Sequence, residues 1–142
     1  MNVIITDGGR AAAGFKGKAS GDCVCRAVAV AAEMPYREVY DLINSLNAQY
    51  PPRGTKKQSS ARTGCSKKII DKLFEHLGWT WTPTMGIGTG CKVHLREDEL
   101  PAGRLVVNVS CHLVAVIDGV LYDNHNSLRN GTRCVYGYWR KS

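Results

Sequence analysis

The chain has 142 residues, 44% hydrophobic and 22% charged, and its 19 Lys and Arg against 12 Asp and Glu leave a net charge of +7. That is enough chain for one core without disulfide staples, so a single domain over residues 1–142 is expected. No stretch is long and apolar enough to span a bilayer and the first residues lack a signal-peptide pattern. A cytoplasmic protein with no membrane contact is therefore expected, its six cysteines free thiols rather than three bridges.

A short strand is expected at Val3 to Ile5, followed from Asp7 to Lys18 by a run with too many glycines for regular structure. Its glycine spacing is not a phosphate-binding fingerprint, because no Gly-Lys-Ser/Thr closes it. Asp22 then stands where a side-chain oxygen can cap a helix, and Cys23 onward is apolar on nearly every face. A buried central helix follows, ending near Met34, since Pro35 disfavours helix at the residue before it. Tyr36 to Gln49 places Val39, Leu42, Ile43 and Leu46 on one face of a second helix.

Residues 51–64 form a polar, broken loop that carries Arg53, Lys56, Lys57 and Arg62. Such a loop is most often simply solvated, and at most it predicts weak, non-specific contact with nucleic acid. A third helix carries Ile69, Ile70, Leu73, Phe74 and Leu77 and stops at Gly78. From Trp79 the pattern changes to short β-branched or aromatic runs at residues 79–82, 105–109, 113–117, 120–122 and 134–139. Helices first and strands second predict an α+β fold, an antiparallel sheet packed on the central helix. Trp79 and Trp81 share one strand face and could line a substrate groove, but core packing is the expected use of two large rings.

The chemistry centres on Cys23. In the first turn of a helix the backbone N–H groups and the helix dipole favour a thiolate. Cys25, two residues on, points nearly the opposite way. His112 opens an apolar strand, and Asp118-Gly119 between β-branched runs signals a two-residue hairpin. That hairpin pairs Ile117 with Val120 and, counting outward, Val114 with Asp123. Asp123 then becomes the diagonal neighbour of His112 on one face, with Asn124 on the other face and His125 opposite His112. His76 and His94 are expected to be structural or exposed. A zinc site is not expected, because Cys-x-Cys within a helix cannot turn both sulfurs to one ion, and no cofactor is expected.

A cysteine opening a buried N-terminal helix, a histidine opening a strand of a C-terminal sheet, and an Asp on the next strand resemble the chain order of the papain-like cysteine peptidases. Asp22-Cys23 looks most like the bacteriocin-processing branch, and the whole chain is similar to small uncharacterised phage and prophage proteins. The resemblance implies a papain-like fold and a cysteine peptidase or related amide or isopeptide acyl-transfer enzyme acting on a peptide or protein, in a host cytoplasm if phage-encoded. It makes Cys23 the nucleophile, His112 the general base and Asp123 its orienter, with Asn124 and His125 behind them. The glutamine such enzymes carry before the cysteine is absent, which leaves Lys18 and Ser20 as oxyanion-hole candidates. The alternative is a catalytically inactive papain-like binding protein that contacts nucleic acid through the basic loop.

Overall fold

The computed structural model describes residues 1–17, 21–52, 60–62, 64–86 and 88–141. In chain order the elements are β1 (Asn2–Ile5), α1 (Cys23–Ala31), α2 (Tyr36–Gln49), α3 (Lys67–Leu77), β2 (Trp79–Pro83), β3 (Arg104–Val109), β4 (His112–Ile117), β5 (Val120–Asp123) and β6 (Val135–Lys141). Three helices and one six-stranded sheet make the fold α+β, the strands running in the order β1-β5-β4-β3-β6-β2. The expected antiparallel sheet is corrected to a mixed one. β1 lies parallel to β5, with Asn2 opposite Val120 and Ile5 opposite Asp123. The whole helical half separates β1 from its partner, so no hairpin dictates its direction.

α1 is buried on most sides, at residues 24–29 and 31, and packs on α2, β3 and β4. Its first turn differs from expectation. Asp22 is the N-cap residue but makes no side-chain cap, because its carboxylate accepts hydrogen bonds from Arg26 and Tyr36 instead. α2 follows Pro35 and buries Val39, Ile43 and Leu46. α3 is capped by Ser66, whose hydroxyl accepts from the Ile69 N–H at 3.3 Å, and it buries Ile69, Leu73 and Phe74 before ending at Gly78.

The period of two in the strands divides the sheet between two cores. Leu113 and Ala115 join Val24, Val28, Ile43 and Phe74 beneath the helices. Val114, Val116 and Leu121 join Val107, Leu95 and Leu100 on the other face, which the segment before β3 covers. The β4–β5 hairpin has the register the sequence implied, with Ile117 opposite Val120 and Ala115 opposite Tyr122. Its two turn residues, Asp118 and Gly119, both have positive φ, 47° and 78°, the conformation that suits the twist of a two-residue hairpin. A side chain at Gly119 would also strike Glu97.

The expectation of six free thiols is corrected as well. Cys91 and Cys134 form a disulfide, with Cα atoms 5.8 Å apart. The antiparallel bridge between His94 and Cys134 brings the two segments together. Cys23, Cys25, Cys65 and Cys111 are free. No helix among the described residues is long and apolar enough to cross a membrane.

Candidate active site

Cys23 is the first residue of α1, His112 the first of β4 and Asp123 the last of β5. All three stand at one end of the sheet. By strand phase His112 and Asp123 belong to the face away from α1. As terminal residues they nevertheless reach groups of that helix, Asp123 meeting Arg26 at 3.1 Å and His112 meeting Cys23.

The Nε2 of His112 lies 2.7 Å from Oδ2 of Asp123. That leaves Nδ1 for the thiol. Asp123 is 1% exposed and fully engaged: Oδ1 accepts from Arg26 and from the Asn124 N–H, and Oδ2 accepts from His112 and the Ser127 hydroxyl at 2.8 Å. Burial pushes the Asp123 carboxyl up, but the hydrogen bonds from His112, Ser127 and the Asn124 N–H, with the His112 charge, win and bring it down to about 2. Burial likewise pushes His112 down, yet the hydrogen bonds with Asp123 and Cys23 and their charges raise it to about 9. Burial pushes the Cys23 thiol up, and the His112 hydrogen bond, the Leu113 N–H and the charges of His112 and Arg26 reverse this and leave it below its ordinary value. The two shifts run in opposite directions, one favouring an ionised thiol and the other a protonated imidazole.

Two further free thiols, Cys25 and Cys65, are set apart from this state. Cys25 is wholly buried against the Tyr36 carbonyl, and burial pushes it up to about 12. Cys65 shares the groove with Cys23, and burial followed by the Cys23 charge also takes it up to about 12.

Asn124 turns away from the imidazole. Its Oδ1 meets Nδ1 of His125 at 2.6 Å, while its backbone N–H bonds Asp123. The His125 ring stands 5.4 Å from that of His112 and its Nδ1 lies 4.0 Å from Asp123 Oδ2. His112, Asp123 and His125 thus bring three metal-ligating atoms within 4.8 Å of one another. A cation there would have to displace the donors that already occupy both oxygens of Asp123, so a hydrogen-bonded dyad suits these residues better than a metal centre. His94 pairs with Glu99 at 3.1 Å, far from this network in role. Lys18, Ser20, Arg53, Lys56 and Lys57 lie outside the described residues, and Arg62 is exposed. Asp22 makes no side-chain cap, so the first turn of α1, which begins with Cys23, keeps N–H groups unclaimed by a capping oxygen.

A groove of about 760 Å³ opens beside Cys23 and His112, walled by Ile70, Leu113, Tyr136 and Trp81. Trp81 was expected in the core but is 39% exposed. Its ring lies over Gly137, where a Cβ would sit 2.3 Å from the indole carbons, and packs at 4.4 Å on Trp139, itself stacked on Phe74. Glycine at 137 is what allows the indole so close to the sheet. Sequence reading also missed Arg26, Ser127 and Tyr36 as members of the polar network. Arg26 carried the one available signal, a charged residue inside an otherwise apolar helix. Comparison of the chain with protein families, with curated proteins and with solved structures finds no match.

Proposed function

We propose that the chain is a cysteine hydrolase or acyl transferase of papain-like layout, acting on the acyl carbon of a peptide, isopeptide or other amide. The observation that carries this reading is the convergence of a helix-N-terminal thiol, an imidazole and a buried carboxylate 2.7 Å from that imidazole at the mouth of one groove. The Cys23 thiolate attacks the acyl carbon, and a C–S bond forms as the carbonyl oxygen takes up negative charge. The Cys23 N–H, at the positive end of α1, stabilises that charge. Protonated His112 gives its proton to the departing amine as the C–N bond breaks. Neutral His112 then takes a proton from water, or from an acceptor amine, which attacks the thioester and frees the thiol. Asp123 stays ionised and fixes which ring nitrogen faces the sulfur. The partner under this reading is a peptide or protein substrate.

The test is direct trapping of the acyl intermediate. Brief reaction with p-nitrophenyl acetate should release a burst of nitrophenol equal to the protein present and leave one acetyl group on Cys23, seen by mass spectrometry after rapid acid quench. Acetylation spread over Lys and several Cys with no burst would contradict the proposal.

A further inference from the structure

Arg26 is 4% exposed and lies between two carboxylates that are just as buried. Its Nη1 donates to Asp22 Oδ1 at 2.5 Å and its Nη2 to Asp123 Oδ1 at 3.1 Å, across 97 residues of chain. We propose that Arg26 is a positioning residue of this site: its guanidinium bridges Asp22 and Asp123 and so fixes the first turn of α1, with Cys23 on it, against the strand end that holds His112.

Helical spacing puts Arg26 one turn below Cys23 on the same face and four residues from Asp22. Burying a guanidinium is costly, and an apolar residue of similar volume serves packing as well or better. The arrangement makes sense as a bridge. Each carboxylate spends its second oxygen on another element: Asp22 Oδ2 accepts from the Tyr36 hydroxyl of α2 at 2.8 Å, and Asp123 Oδ2 holds His112 of β4. One hydrogen-bonded line therefore runs from α2 through α1 and β5 to the imidazole. The planar fork holds one nitrogen at each carboxylate in a fixed geometry, which a lysine ammonium, a single compact donor centre, does not reproduce.

The N-terminal segment seals the bridge. Gly8, at φ +72°, lies so close to Arg26 that a Cβ would stand 3.0 Å from its Cγ and 3.1 Å from its carbonyl oxygen, and the Thr6 N–H bonds the Asp123 carbonyl at 2.8 Å. The titratable and charged groups facing Arg26 and its partners are Asp22, Cys23, Cys25, Tyr36, His112, Asp123 and His125, with Arg133 acting on Asp123 by charge. The Arg26 guanidinium therefore stands as one cation between two buried carboxylates, beside the turn that carries Cys23.

The inference rests on the reading of Cys23, His112 and Asp123 as the reactive set, and its test separates the two. In the wild-type chain, nitrogen NMR should show separate signals for the two Nη groups of Arg26, because each is held by its own carboxylate; one averaged signal would overturn the bridge. Arg26→Lys should move the acid limb of Cys23 alkylation up by about one pH unit, roughly tenfold in rate on that limb. In a Cys23→Ala background, it should also shift the His112 titration. Leu73→Ala, a core change in α3, should lower the melting temperature and move neither curve. A folded Arg26→Lys protein with wild-type curves would overturn the proposal, and if that variant does not fold the guanidinium spectrum still decides. Should Cys23 prove unreactive in the wild type, the functional reading fails while the Arg26 spectrum and the His112 titration stand or fall by themselves.

Discussion

His112 and Asp123 meet at 2.7 Å because a two-residue turn makes eleven residues of chain fold back in a single register. One more loop residue would have exchanged Asp123 for Asn124. Asp123→Asn keeps the shape and removes the charge, so the His112 pKa should fall from about 9 toward its ordinary value. Alkylation of Cys23 at pH 6 should slow by about tenfold or more. Asn124→Ala should do neither. A histidine titration by NMR with a parallel alkylation rate checks both, and equal effects from the two substitutions would contradict the assignment.

The same shifts fix a pH dependence of stability. Folding raises His112 from 6.5 to about 9, so the stabilisation it brings is fully present below pH 6.5 and is lost as pH rises through 9. Asp123 runs the other way: its contribution is present above pH 3.8 and is lost as pH falls toward about 2. The difference in melting temperature between the wild type and His112→Gln should therefore shrink between pH 6.5 and 9. A constant difference across that range would mean that His112 is not held as an imidazolium.

Much of this was legible in the chain, and the misses have physical causes. Pro35, Gly78 and Asp118-Gly119 act on their own neighbours, so the limits of α2 and α3 and the hairpin register followed from local chemistry. Asp22 did not cap α1 because Arg26, one turn on, and Tyr36 claim its carboxylate, and the claim of Tyr36 is not visible until α2 folds against α1. The parallel β1, the Cys91–Cys134 pair and the exposure of Trp81 depend on segments distant in sequence, where no local propensity speaks. Arg26 was readable as an oddity on an apolar helix, but its second partner lies 97 residues away.

Gly137 is predicted to be a close-approach glycine for Trp81. Gly137→Ala should lower stability by about 1–3 kcal/mol, a typical overpacking penalty, because the added Cβ meets the indole 2.3 Å away. Displacement of Trp81 should shift the tryptophan emission to the red. Unchanged melting temperature and emission would show that the indole is not held against the sheet.

The Cys91–Cys134 bond joins the segment before β3 to the start of β6, distant from Cys23 in the chain. Removing both thiols as Cys91→Ser with Cys134→Ser should cost about 2–4 kcal/mol, as for the loss of a native disulfide closing a loop of this order. Cys23 alkylation should be unaffected. Thiol titration of the unreduced, unfolded chain should count the four free cysteines; a count of six would contradict the bond.

Under the proposed function Cys23, alone among the free thiols, reacts as a thiolate held by His112. Timed alkylation with iodoacetamide at pH 6, read residue by residue by mass spectrometry, tests it most directly. Cys23 should be labelled well before exposed Cys111, buried Cys25 and Cys65, and that lead should vanish in His112→Ala. Labelling of Cys111 first in the wild type, or a lead kept by Cys23 without His112, would contradict the pairing of Cys23 with His112.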